Sequence, residues 1–76
     1  MKVFDKVKEY ILQQLPVDES KIVTEARLVE DLGADSANLM MLIMDLETEF
    51  DLTVEDEVLA NIKTVGDIVS YIEAHV

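Results

Sequence analysis

The stretch Ala37-Asn38-Leu39-Met40-Met41-Leu42-Ile43-Met44-Asp45-Leu46-Glu47-Thr48-Glu49-Phe50 decides the fold. Leu39, Leu42, Ile43, Leu46 and Phe50 recur at helical intervals, the spacing that gathers side chains onto one side of an α-helix. Met40, Met41 and Met44 lie on the flanks of that stripe, so the helix is apolar over more than one face. A merely solvated helix has no need of that. The extra apolar surface is either buried by a neighbouring loop or kept open for a partner, because the unbranched thioether adapts to irregular contacts. The residues alone leave both readings open.

Immediately upstream, Ser36 is placed as the N-cap of this helix, with Asp35 just outside it, where the helix dipole favours negative charge. On that reading Ser36→Ala costs about 1 kcal/mol through the lost cap. Gly33 supplies the backbone freedom for a sharp turn into the helix.

Working outward, Phe4, Val7, Ile11 and Leu15, with Val3 beside them, mark a first amphipathic helix of three to four turns. Pro16 ends it, since a proline disfavours helical geometry in the residue before it. From Val17 to Asp35 no period is sustained. Asp18, Glu19 and Ser20 suit a turn, and Ile22, Leu28 and Leu32 are isolated anchors that can pin a long loop to a core. A short helical turn is expected from Leu28 to Asp31. A further short helix around Asp56 to Ala60 offers Val58, Leu59 and Ile62 to the core. The last helix begins at a Thr64 cap, with Asp67 three residues on imitating a capping box, and buries Val65, Ile68, Val69 and Ile72. Nothing alternates at period two over a strand's length. The expectation is an all-α fold: a small four-helix bundle, three longer helices and one short, with a long loop after the first. It forms one domain over residues 1–76.

Charge is distributed more tellingly than its total of −11. From Leu28 to Ile62 there is no Lys or Arg, while Glu30, Asp31, Asp35, Asp45, Glu47, Glu49, Asp51, Glu55, Asp56 and Glu57 fall in that segment. Such a field repels nucleic acid and anionic lipid and steers the domain towards basic partners. The longest apolar run, Leu39 to Met44, is too short to cross a bilayer. Charges interrupt the start of the chain, where a signal peptide needs an apolar stretch. A cytoplasmic monomer is expected, with no nucleic-acid partner and no membrane insertion.

Enzyme chemistry finds little footing. The sole histidine, His75, is penultimate, where chains fray. Gly33 and Gly66 stand alone, so no phosphate-cradling glycine loop exists. The acids lack the alternating pattern and central glycine of a calcium loop. There is no cysteine, which excludes disulfides, thiolate catalysis and cysteine-ligated zinc. Ser36 remains. A serine here is a good cap and needs no other role, yet a phosphoester at the same place would sit at a helix N-terminus, which tolerates phosphate well.

The run Val29-Glu30-Asp31-Leu32-Gly33-Ala34-Asp35-Ser36 resembles the prosthetic-group site of bacterial acyl carrier proteins. The resemblance extends over nearly the whole chain, through Leu46-Glu47-Thr48-Glu49-Phe50-Asp51, Ile62-Lys63-Thr64-Val65-Gly66-Asp67 and Tyr71-Ile72. It implies that Ser36, beside Asp35, carries 4′-phosphopantetheine through a phosphodiester, loaded from coenzyme A by a phosphopantetheinyl transferase. The arm would import the thiol that the chain lacks and hold acyl groups as thioesters. Fatty acid synthesis or acyltransferase enzymes with basic surface patches are the implied partners. Asp35, Ala37, Met40, Met41, Met44 and Glu47 are the implied partner-binding residues. An acyl pocket is implied among Leu28, Leu42, Leu46, Val54, Leu59 and Ile62, all of which also serve as ordinary core.

This chain departs from the family pattern at four positions. Ala37 stands where leucine is usual, Asn38 and Met41 where acids are common, and Leu59 where a smaller residue is common. They keep two alternatives in view: a specialised carrier for polyketide, modified-lipid or D-alanyl transfer chemistry, and an unmodified acidic helical adaptor.

Overall fold

The computed structural model of the chain describes residues 2–76. Four α-helices follow one another: α1 Val3–Gln14, α2 Ser36–Phe50, α3 Asp56–Asn61 and α4 Val65–His75. A 3-10 turn, Glu19–Lys21, interrupts the long loop between α1 and α2. Among the described residues there is no strand, only an isolated bridge between Arg27 and Thr64. The all-α expectation and its order of helices hold.

The cause of each helix lies in its apolar spacing. Val7 and Ile11, one turn apart, are fully buried on α1, which packs against both α2 and α4. At its end Leu15 is forced into extended geometry, φ −126° and ψ 140°, by the following Pro16. Leu42, Ile43 and Leu46 are the buried residues of α2, while Leu39 and Phe50 pack at its margin. Val65, Ile68, Val69 and Ile72 do the same for α4. Burying each such side chain stabilises the fold by about 1.5–3 kcal/mol relative to leaving it exposed.

The long loop is stitched to the start of α4. The Leu28 amide donates to the Lys63 carbonyl at 2.9 Å, Val65 to Ala26 at 3.0 Å and Gly66 to Thr24 at 2.9 Å. Ile22, Leu28 and Leu32 are buried, so the isolated anchors read in the sequence do hold this loop to the core. These bonds pair the loop's backbone at Thr24, Ala26 and Leu28 without a sheet. Lys8 adds an ion pair to Glu19 at 2.7 Å. The expected helical turn near Leu28–Asp31 is present as one turn that is not continued into a helix: the Asp31 amide donates to the Arg27 carbonyl at 2.9 Å and the Gly33 amide to the Val29 carbonyl at 3.1 Å.

Candidate functional site

The run Val29–Ser36 folds into a turn that leads the chain into α2. The Asp31 and Leu32 amides both donate to the Arg27 carbonyl, at 2.9 and 3.1 Å, Gly33 to Val29 at 3.1 Å and Ala34 to Leu28 at 2.9 Å. Gly33 takes φ 74°, in the left-handed region where a side chain is costly. Leu32 and Ala34 are buried and leave Gly33 and Asp35 outside. Arg27 braces the turn. Its guanidinium pairs with Glu30 at 2.8 Å and with Asp31 at 3.3 Å, and its amide donates to Asp31 at 2.8 Å. These hydrogen bonds, the backbone one first, hold the Asp31 carboxyl below the usual carboxylate range.

Capping at this helix differs from the expectation. The N-cap is Asp35, not Ser36: its Oδ1 accepts from the Asn38 amide at 2.8 Å, and Asn38 Oδ1 accepts from the Asp35 amide at 3.3 Å. A carboxylate at the cap also meets the positive end of the helix dipole, which favours it over a neutral hydroxyl. Ser36 becomes the first helical residue, exposed, with no part in the cap. The cost expected for Ser36→Ala through a lost cap therefore falls on Asp35 instead. Asn38, which read as a departure from the family, is the reciprocal half of the capping box.

The remaining candidates separate into three groups. Met40, Met41 and Met44 are 52%, 54% and 59% exposed, so the long loop does not bury them. Ala37 is exposed on the same helix. Glu47 is only half exposed, and its carboxylate accepts from the Val54 amide at 2.7 Å, tying α2 to the segment before α3. Of the six apolar residues expected around an acyl chain, Leu28, Leu59 and Ile62 line one cleft of about 300 Å³. Leu42, Leu46 and Val54 do not line that cleft. Leu42 and Leu46 are fully buried core, and Val54 packs against it.

Sequence reading missed Leu39 and Lys63 in the cleft, and Arg27 and Asn38 at the turn. The signals were faint. An Asp followed three residues later by an amide is a capping-box variant, and Arg27 precedes Asp31 by the four residues that allow an ion pair.

The site fits a phosphodiester-linked arm. Ser36 presents an exposed hydroxyl at the start of a 15-residue helix, whose dipole favours an attached phosphate. One turn further on, Leu39 begins an apolar cleft shared with Leu28, Val29, Leu59 and Ile62. No helix is long and apolar enough to cross a membrane, and no cluster of potential metal ligands is present among the described residues.

A family model described as the phosphopantetheine attachment site matches residues 5–72. The chain is similar to the acyl carrier protein of Thermotoga maritima, 56% identical over 71 residues that cover 93% of this chain and 88% of the relative. It is similar as well to the acyl carrier protein of Clostridium acetobutylicum, 48% identical over 73 residues, 96% of this chain and 95% of that one. Its fold matches the solved structure of the acyl carrier protein from Enterococcus faecalis with a TM-score of 0.84, 30% identity and 100% of both chains covered.

Proposed function

This chain belongs to the phosphopantetheine attachment-site family, as an acyl carrier protein, and from that premise we propose that Ser36 is the residue to which its 4′-phosphopantetheine arm is joined. Members of the family are carriers and not enzymes, and phosphopantetheine is their prosthetic group. When attached, the arm supplies a thiol that holds acyl groups as thioesters. The single observation that carries the assignment to Ser36 is its position: an exposed hydroxyl on the first turn of α2, freed from capping by Asp35.

The chain's own residues have three tasks. Gly33, Leu32 and Ala34 set the turn that brings Ser36 to the surface. Asp35 and Asn38 satisfy the helix end, so the hydroxyl has no competing structural bond to break before it reacts. Leu28, Leu39, Leu59 and Ile62 offer an apolar cleft into which the start of an acyl chain can retreat from water.

The proposed setting is fatty acid biosynthesis in the cytoplasm, with the chain acting as a monomer. A phosphopantetheinyl transferase would load it from coenzyme A, and acyl-processing enzymes with basic surface patches would read it. The base-free segment Leu28–Ile62 supports basic partners through charge complementarity. Met41, which is exposed on α2 where the family commonly has an acid, favours a second reading, a carrier for a specialised pathway, because it replaces charge with apolar surface where partners would dock. Mass analysis of the acyl group carried in the native host distinguishes the two. Saturated straight chains of graded length support fatty acid synthesis, and a single aminoacyl or hydroxylated acyl group supports the specialised pathway.

A further inference from the structure

From Ser36 to Met44, α2 carries no charged residue. Met40 and Met44 follow Ser36 at intervals of four, so they stand in one row with it on the outer face, with Met41 beside them. At about 1.5 Å per residue, the row spans about 12 Å from the attachment residue. All three side chains are more than half exposed, while the opposite face of the same helix buries Leu42, Ile43 and Leu46. The row ends at a groove of about 400 Å³ lined by Met44, Glu47, Thr48, Asp51, Leu52 and Thr53.

Charge frames this apolar row. Asp35 precedes it, Asp45 and Glu47 follow it, and no Lys or Arg occurs between Leu28 and Ile62. The complementary surface is an apolar recess with Lys and Arg around its rim, since apolar burial supplies affinity at the centre and charge supplies orientation at the edge. The methionine sulfurs also carry a chemical liability. With no cysteine in the chain, thioethers are its sulfur groups, and those of the row are open to water. Hydrogen peroxide oxidises a thioether by two electrons: sulfur donates a lone pair to one peroxide oxygen, the O–O bond breaks, a sulfoxide forms and water leaves. The product is polar, and burying it in an apolar recess carries a desolvation cost that the thioether does not.

We propose that Met40, Met41 and Met44 form a peroxide-sensitive docking ridge, seating in an apolar, base-rimmed recess of the enzymes that act at Ser36 and releasing them when oxidised to sulfoxides. The proposal rests on the carrier reading above. It adds that the apolar row, more than the surrounding acids, holds the partner.

The test uses apo-protein and a broad-specificity phosphopantetheinyl transferase with coenzyme A. Protein is exposed to hydrogen peroxide until peptide mapping shows one added oxygen on each of the three methionines. The KM for the oxidised protein is expected to rise about tenfold, equivalent to about 1.4 kcal/mol of lost binding, with kcat little changed. Helix content by circular dichroism stays the same, and methionine sulfoxide reductases of both epimer specificities restore the KM. The triple variant Met40→Leu, Met41→Leu, Met44→Leu keeps its own untreated KM after the same exposure. An unchanged KM in the oxidised wild type overturns the proposal, as does an equal loss in the leucine variant or a loss that tracks helix melting. Failure of the untreated protein to be loaded at all overturns the carrier reading instead, which is a different result.

Discussion

The starts of α2 and α4 solve one problem in opposite ways. Both helices open with a capping box, in which the cap side chain accepts from the amide three residues on and that residue's side chain accepts from the cap amide. At α4 the hydroxyl of Thr64 is the cap, accepting from the Asp67 amide at 3.1 Å, and the Asp67 carboxylate reaches back to the Thr64 amide at 3.1 Å and the Lys63 amide at 2.9 Å. At α2 the acid is the cap and an amide side chain reaches back. One helix commits its hydroxyl to structure. The other keeps a hydroxyl, that of Ser36, one position past the cap and outside the hydrogen-bonded box. The difference teaches that a serine beside a helix start is made available for chemistry when its neighbour takes over the cap.

Unequal backbones lead into the two helices. Both caps are extended, Asp35 at φ −103° and Thr64 at φ −122°, but Gly33, two residues before the α2 cap, sits in the left-handed region and no described residue leading into α4 does. Gly33→Ala should therefore cost about 1–2 kcal/mol. Space is not the obstacle, since nothing lies within 4 Å of an added Cβ there, so the loss comes from backbone strain alone. Urea unfolding of the variant checks it, and an unchanged midpoint would mean that the turn relaxes.

Next in size are the two caps. Asp35→Ala and Thr64→Ala should each cost about 1 kcal/mol, lowering Tm by about 4–8 °C in a domain of this size. By contrast, Ser36→Ala should fall within about 0.5 kcal/mol of the wild type, as expected for an exposed residue without a structural bond. If Ser36→Ala destabilises as much as Asp35→Ala, the two-box comparison fails.

Acid sharpens the comparison from the other side. The amides of Lys63 and Thr64 hold the Asp67 carboxyl below its ordinary value of 3.8. Because the folded value lies below the unfolded one, the stabilisation is complete above the ordinary carboxylate value. It is lost as pH falls from there through the lower folded value. The stability gap between the wild type and Asp67→Asn should then be constant from neutral pH down to the carboxylate range and shrink below it. A gap that stays level under acid would show that the charge of Asp67 is not what binds the two amides.

Smallest of all is a spectroscopic effect with no expected change of stability. The Tyr10 hydroxyl donates to Glu49 Oε1 at 2.6 Å, and this bond, with the repulsion of a nearby carboxylate for a phenolate, pushes the Tyr10 pKa up to about 12. It joins α1 to the last turn of α2, at the opposite end of that helix from Ser36. Ultraviolet titration of Glu49→Gln should bring Tyr10 back towards 10, the ordinary value.

Legibility followed the physics of each element. Val7 and Ile11, Leu42 and Leu46, and Ile68 and Ile72 announce their helices because burial repeats with the helical turn. The Thr64–Asp67 box is legible since only one residue there is a good cap. At α2 two good caps, Asp35 and Ser36, stand side by side, and sequence spacing does not choose between them. The choice is made by the turn at Gly33 and by the amide of Asn38, which three-dimensional closure brings to Asp35. The bond from the Val54 amide to Glu47 and the stitching of Thr24, Ala26 and Leu28 to the start of α4 were equally hidden, because each joins segments without periodic pattern. The exposure of Met40, Met41 and Met44 was decided by where the long loop runs, and it runs towards α4 instead.

By taking the cap, Asp35 relieves Ser36 of structural duty, and the proposal is that the hydroxyl so released carries the arm. Intact-protein mass spectrometry of the wild type and Ser36→Ala, each co-expressed with a phosphopantetheinyl transferase, tests this head-on. The wild type should gain one phosphopantetheine and the folded Ser36→Ala variant none. A phosphopantetheine found on Ser36→Ala, or none on the wild type with several transferases, would contradict it.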